Sequence, residues 1–134
     1  MTENIRHFLS LLRIKHWMKN AFVFLPVFFA GKIGLVLNTN VAFVFISFCL
    51  AASSIYILND IIDVEEDRSH PLKRFRPIAS GFFSRNTATI ILAVLVLLFL
   101  ASLTFIGHAR WYVLAYFLLN ILYSFALKKV SIVD

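Results

Sequence analysis

Residues 59–81 read NDIIDVEEDRSHPLKRFRPIASG and follow directly on a run, residues 41–58, that carries no charge. Five of the chain's seven carboxylates (Asp60, Asp63, Glu65, Glu66 and Asp67) fall within eight consecutive residues here, and four of its thirteen Lys/Arg come directly behind them. The polar chemistry of the chain is therefore concentrated in this one stretch. On a helix turning about 100° per residue, Asn59, Asp63 and Asp67 stack at i, i+4 and i+8, and Asp60 lies one turn below Asp63 and two below Asp67. One face then carries an amide and three carboxylates. Mg²⁺ usually takes one or two carboxylates, several waters and the oxygens of a substrate phosphate, so this face is a candidate Mg²⁺ site. The helix is expected to stop where His70 precedes Pro71, because the proline ring disfavours the α conformation for the residue before it. A basic loop of Lys73, Arg74 and Arg76 follows, placing bases suited to phosphate oxygens beside acids suited to a metal. Glu65 and Glu66 point away from the Asp stripe and read as solvated. Two blander accounts compete: a helix emerging from a membrane turns polar anyway, and loop cations are also what the positive-inside rule supplies. The one-face spacing of the acids, on the basic side of the protein, favours a site.

The remainder of the chain is strongly apolar. With 60% hydrophobic residues and a mean hydropathy of +0.85 over 134 residues, it exceeds the ~45–50% apolar content of soluble domains. The expected fold is an all-α polytopic membrane bundle, a single transmembrane domain over 1–134 with a polar loop at 59–86. A spanning helix needs about 20 mostly apolar residues, which allows about four spans; they are read at 21–37, 41–58, 87–106 and 111–127. Pro26 can kink the first, and Lys32 can snorkel from it to the opposite interface. Residues 1–20 mix Ile5, Phe8, Leu9, Leu11 and Leu12 with Arg6, Arg13, Lys15, His16 and Lys19, the pattern of an interfacial amphipathic helix, with Trp17 as a headgroup-level anchor. A signal peptide fits poorly, since the apolar run starts late and shows no small-residue cleavage site.

These spans put eleven of the thirteen Lys/Arg on one side, leaving Lys32 and Arg110 on the other. The positive-inside rule then places the amino terminus and the 59–86 loop in the cytoplasm, in a bacterial-type cytoplasmic membrane. The net charge of +6 needs no nucleic acid to explain it. The lone Cys49, in an apolar run, excludes a disulfide framework within the chain and reads as a small core hydrophobe. His70 reads as a loop residue or a metal ligand; His7, His16 and His108 show no ligand spacing. Asn120 and Tyr123 lie inside a span, where polar groups face a bundle interior, for an interhelical hydrogen bond or for a substrate. No serine or cysteine nucleophile arrangement, P-loop or dinucleotide fingerprint is present.

Asn59-Asp60-x-x-Asp63-x-x-x-Asp67-Arg68 at the end of a transmembrane helix resembles the first aspartate-rich motif of the UbiA superfamily of intramembrane prenyltransferases. Asp67-Arg68-x-His70-Pro71-x-Lys73-Arg74-x-Arg76-Pro77-Ile78-Ala79-Ser80-Gly81 is similar to the branch typified by decaprenyl-phosphate phosphoribosyltransferase. So is Leu12-Arg13-x-Lys15-x-Trp17-x-Lys19-Asn20, and Tyr123-Ser124-x-x-Leu127-Lys128 matches the superfamily pattern. The resemblance implies a helical bundle of about nine spans around a cavity, with Mg²⁺ bridging a diphosphate to two Asp-rich motifs. It implies that Asn59, Asp63 and Asp67 form the metal and diphosphate group, the catalytic residues, with Asp60 assisting at the metal. Lys73, Arg76 and Arg68 would hold phosphates, and Tyr123 and Lys128 would line the cavity.

The expected reaction is Mg²⁺-dependent transfer of a 5-phosphoribosyl group from phosphoribosyl diphosphate to a polyprenyl phosphate. A second reading moves a prenyl group from a prenyl diphosphate to an aromatic or lipophilic acceptor. A third is a non-catalytic membrane half that binds lipid phosphate, its support being that the second Asp-rich motif implied by the resemblance is missing. Only the first half of such a bundle is expected here, with a missing carboxyl-terminal half or a second copy as partner.

Overall fold

The computed structural model describes residues 2–25, 29, 31 and 39–127, and among these every regular element is helical. Helix α1 (Thr2–Leu11) leads through a 3-10 turn (Ile14–His16) into the short α2 (Trp17–Asn20) and a second 3-10 turn (Ala21–Phe24). The uncharged run forms α3 (Thr39–Ile62), followed by α4 (Val64–Ser69) and a 3-10 turn (Lys73–Phe75). Helix α5 (Arg85–Ser102) ends in a 3-10 turn (Leu103–Phe105), and α6 (Ala109–Leu122) ends in a π-helical turn (Tyr123–Leu127).

Length decides which of these can cross a bilayer. The segments Asn40–Ile62 and Arg85–Phe105 are long and apolar enough; at 1.5 Å per residue α3 alone is about 36 Å long, against a hydrocarbon core of about 30 Å. The α-helical part of α6 has 14 residues, about 21 Å, and reaches further only through its π turn. Two of the four expected spans are thus met by length among the described residues. The expected first span, 21–37, falls mostly outside them, as do Pro26 and Lys32. Along α5, Ile90, Val94, Leu97, Leu98 and Leu100 all face outward and exposed. A soluble protein rarely shows so continuous an apolar surface, whereas a lipid-facing helix must.

Two apolar clusters hold the helices together. One joins Leu11 and Leu12 to Ile57 of α3, Val64 of α4, Ile78 of the loop, and Ala88 and Leu95 of α5. The other packs Ala51 and Ile55 of α3 against Phe99, Ile106, Val113 and Phe117, with the Phe99 and Phe117 rings 4.6 Å apart. Between α3 and α5 the small Ser47 and Ser102 let the backbones approach, and their hydroxyls meet at 2.7 Å, the usual device for joining helices in lipid. Ser84 caps α5, its Oγ accepting the Thr87 N–H at 3.1 Å, as Ser does at helix starts.

The amino-terminal segment differs from the expected single interfacial helix. α1 stops at Leu11, and Arg13 adopts a left-handed conformation at φ 52°, ψ 44°. The break lets Leu11 and Leu12 enter the core while Arg13 turns to an acid on α3. Trp17 ties this segment to α3: its indole N–H donates to Ser53 Oγ at 3.0 Å, and Ser53 donates to the Leu12 carbonyl at 2.7 Å. Ser53 is fully buried, so Ser53→Ala leaves two polar groups without partners, a loss of about 1–3 kcal/mol. The expected result is a lower unfolding midpoint in detergent and faster tryptic cleavage at Lys15 and Lys19. The Asn120 amide donates within its own helix, to Tyr116 O at 2.8 Å.

Candidate active site

The acidic stripe keeps its register through the join between α3 and α4. Asp63 N–H donates to Asn59 O and Asp67 N–H to Asp63 O, both at 2.8 Å, so Asn59, Asp63 and Asp67 remain one helical face. The helix ends where expected, at His70, whose φ −86° and ψ 132° are extended. The His70 ring turns the chain: Nδ1 accepts the N–H groups of Leu72 and Lys73 at 3.1 and 3.3 Å. After the 3-10 turn Lys73–Phe75, Pro77, Ile78 and Ala79 are buried, and Ile78 is anchored in the core. Gly81 then takes φ 83°, a left-handed value that glycine adopts without a Cβ penalty, and Phe83 N–H returns to Pro77 O at 3.0 Å. This closed loop drives Arg76 back onto the helix it follows.

Arg76 joins two acids. Its Nη1 donates to Asp67 Oδ2 at 2.7 Å and to Asp60 Oδ1 at 3.1 Å. Asp60 is 3% and Asp67 1% exposed, so each carboxylate would be very costly without a counter-charge. Arg13 supplies the second one, Nη2 donating to Asp60 Oδ1 at 2.7 Å while its guanidinium lies 4.6 Å over the Tyr56 ring. Lys73 Nζ stands 4.0 Å from Asp67 Oδ1. That oxygen is buried and accepts no hydrogen bond from any described residue. His16, tilted against Tyr56 at 5.4 Å, has its imidazole pKa lowered by burial and then by the charges of Arg13 and Lys19, so it stays neutral at pH 7.

Asn59 and Asp63 are half-buried on the stripe. Arg68 is exposed and pairs with Glu65 at 3.1 Å, while its Nε reaches Ala79 O at 3.3 Å, so it staples α4 to the loop and stands outside the Asp60–Asp67 cluster. Tyr123 lies exposed in the π turn after α6, and no ion pair or hydrogen bond described here joins it to the cluster. Lys128 lies outside the described residues. Arg13 is the member that sequence reasoning left on the basic face of an interfacial helix. Its signal was slight: a cation placed directly after two leucines that both enter the core.

The sequence model of the UbiA prenyltransferase family matches residues 20–134, which include the whole acidic stripe and the loop. The chain belongs to this family. Members of the family are integral membrane proteins, in keeping with α3, α5 and the exposed apolar side of α5. Among similar proteins, decaprenyl-phosphate phosphoribosyltransferase of Mycolicibacterium smegmatis is 35% identical over 132 residues, 94% of this chain and 42% of that protein. The enzyme of the same name from Corynebacterium glutamicum is 37% identical over 133 residues, 94% of this chain and 40% of that one. Nodulation protein NoeC of Azorhizobium caulinodans is 42% identical over 86 residues, covering 64% of this chain and 28% of its own length. The chain thus spans well under half the length of these relatives.

The donor set suits a magnesium ion only in one arrangement. Among the described residues no three His, Cys, Asp or Glu side chains converge as a metal-holding group, and Asp60 is committed to two guanidiniums. Mg²⁺ needs only one or two carboxylates when waters and phosphate oxygens complete its shell. The Oδ1 of buried Asp67, which accepts no hydrogen bond among the described residues and lies on the same face as Asp63 and Asn59, meets that lesser requirement. Asn59, Asp63 and Asp67 are the residues that would hold the ion.

Proposed function

We propose that the chain provides the first diphosphate site of a membrane transferase. The reaction is transfer of a 5-phosphoribosyl group from phosphoribosyl diphosphate to a polyprenyl phosphate. The observation that carries this reading is the pair of buried carboxylates, Asp60 and Asp67, fixed on the Arg76 guanidinium at the end of a membrane-length helix. The names and about 35% identity of the actinobacterial relatives support the donor and acceptor. The positive-inside argument supports a cytoplasmic position for the loop, where the water-soluble donor is found.

The acceptor phosphate is already an anion and needs no general base. The bond from the ribose anomeric carbon to the diphosphate breaks, the diphosphate leaves with the electron pair, and an acceptor phosphate oxygen bonds to that carbon. The protein's task is to bind and stabilise the departing charge with groups already in place. A magnesium ion on Asn59, Asp63 and Asp67 would add Lewis-acid stabilisation of the diphosphate. Asp60 and Asp67 hold Arg76 in a fixed orientation, so a phosphate oxygen meets a guanidinium that needs no reordering, and Arg offers a planar pair of donors for it. Lys73, 38% exposed, is free to swing its ammonium onto a second oxygen.

The family description itself favours a second reading, prenyl transfer from a prenyl diphosphate to a lipophilic acceptor. Both leaving groups are diphosphates, so the acids serve either. The test is a chimera in which this chain replaces the matched segment of the Corynebacterium enzyme. It is incubated with labelled phosphoribosyl diphosphate plus decaprenyl phosphate, and separately with labelled prenyl diphosphate plus an aromatic acceptor. Lipid-linked phosphoribose is expected. Product from the prenyl donor alone selects the second reading, and lipid-phosphate binding without turnover of either donor selects a non-catalytic role.

A further inference from the structure

Between the amino-terminal segment and the loop lies a cleft of about 880 Å³, within the range of pockets that enclose a small-molecule ligand. Four cations line it, Arg6, Arg13, Lys15 and Arg76, against one carboxylate, Asp60. The rest of its lining is mainly apolar, with Leu9 and Met18 beside the polar Ser10 and His16, and Met18 is 78% exposed. Asp60 neutralises part of the charge on Arg13 and Arg76 and holds both guanidiniums at 2.7 and 3.1 Å. No carboxylate among the cleft residues is left for Arg6 and Lys15. A concave, partly low-dielectric wall with surplus positive charge concentrates anions, and oriented guanidiniums fit phosphate oxygens best. The apolar side has no use for a fully hydrated anion. It suits a phosphate that carries a hydrocarbon chain.

We propose that this cleft is a binding site for the phosphate monoester end of an amphiphilic lipid, with Arg6 and Lys15 gripping the phosphate, Arg13 and Arg76 beneath it, and the chain lying along Leu9 and Met18. The assignment rests on the proposed reaction only in that the lipid there is the acceptor. Because Arg76 belongs both to this cleft and to the Asp67 side of the cluster, an acceptor phosphate held here stands next to the diphosphate site. The amino-terminal segment is then part of the substrate site as well as a membrane-surface element.

The test uses the full chain in phosphatidylcholine nanodiscs and measures equilibrium binding of farnesyl phosphate, farnesol and inorganic diphosphate. Farnesyl phosphate is expected to bind at least about tenfold more tightly than either of the others, and Arg6→Ala/Lys15→Ala to lose about tenfold or more of that affinity, the size expected for lost charge-assisted hydrogen bonds. Farnesol binding is expected to be unchanged in that variant. A Lys19→Ala/Arg85→Ala variant, which removes the same charge outside the cleft, is expected to bind farnesyl phosphate as the unaltered chain does. Undiminished affinity in Arg6→Ala/Lys15→Ala overturns the site, and diphosphate binding as tight as farnesyl phosphate overturns the lipid assignment. Because binding is read without turnover, charge-dependent binding in a protein that transfers nothing refutes the reaction and leaves the cleft standing. Transfer with no such binding does the reverse.

Discussion

Asp67→Asn is expected to cost about 2 kcal/mol of stability as well as to reduce transfer by the chimera at least about a hundredfold. Breaking a fully buried ion pair from one side costs about 3–5 kcal/mol, because the remaining charge is left uncompensated. Arg76 is 27% exposed and keeps Asp60 as a partner, so water and the second carboxylate take up part of that loss. The asparagine retains the shape of the side chain but returns no negative charge to a position 1% exposed. Asp63→Asn provides the contrast. Asp63 is half-buried on the same face, and its replacement is expected to cost less stability than that of the fully buried Asp67 while abolishing Mg²⁺-dependent transfer. Unfolding scans in detergent and single-turnover assays on the same preparations separate the two effects. An Asp67→Asn protein with the original midpoint would show that the buried pair does not hold the loop, and full turnover by Asp63→Asn would remove the metal from the acidic stripe.

Arg76→Gln is expected to be the most damaging single change in the loop. It takes away the one guanidinium shared by Asp60 and Asp67, leaving two buried carboxylates with Arg13 on the first and only the Lys73 ammonium, 4.0 Å away, on the second. Both acids lie within hydrogen-bond distance of the same nitrogen, so without it they repel each other in a medium that screens poorly. Transfer is expected to fall by about a hundredfold or more, in line with losing a preorganised donor at developing charge, and the loop to become open to protease at Lys73 and Arg74. The double variant Asp60→Asn/Arg76→Gln is expected to be more stable than the sum of its two single changes predicts, by about 1–3 kcal/mol, because the groups share one network. Strict additivity in that cycle would mean that Arg76 and Asp60 are neighbours without being coupled. Arg76→Lys is expected to recover part of the stability and little of the activity, since an ammonium cannot bridge two acids and still present a planar fork to phosphate.

Several features were legible before any coordinates. The membrane character followed from composition, and the helical register of Asn59, Asp63 and Asp67 followed from a spacing of four. The break at His70 followed from Pro71, and the exposure of Glu65 and Glu66 from their place off the stripe. The contacts of Arg68 were not legible, because the resemblance implied only that it would hold a phosphate. Its side chain turns instead to Glu65, three residues back and one turn away on the outer surface, where a surface pair is easily made. The bond from Trp17 to Ser53 was not legible, because an indole near a basic face fits a headgroup belt as well as it fits a buried serine. Nothing in a linear pattern distinguishes these, since both satisfy the same N–H.

What the sequence determined by itself is periodic and local: which runs are apolar enough for lipid, which acids share a helical face, and where a proline stops a helix. These depend on spacing along one chain and on the fixed geometry of the helix. The tertiary structure alone decided that Arg13 and Arg76, distant from each other in the chain, close on Asp60, and that the amino-terminal segment walls a cleft against the loop. Such meetings depend on a left-handed turn at Arg13 and on Ile78 and Leu11 entering one core. Long-range pairing of charges is set by packing of their apolar neighbours, and no spacing rule carries that information.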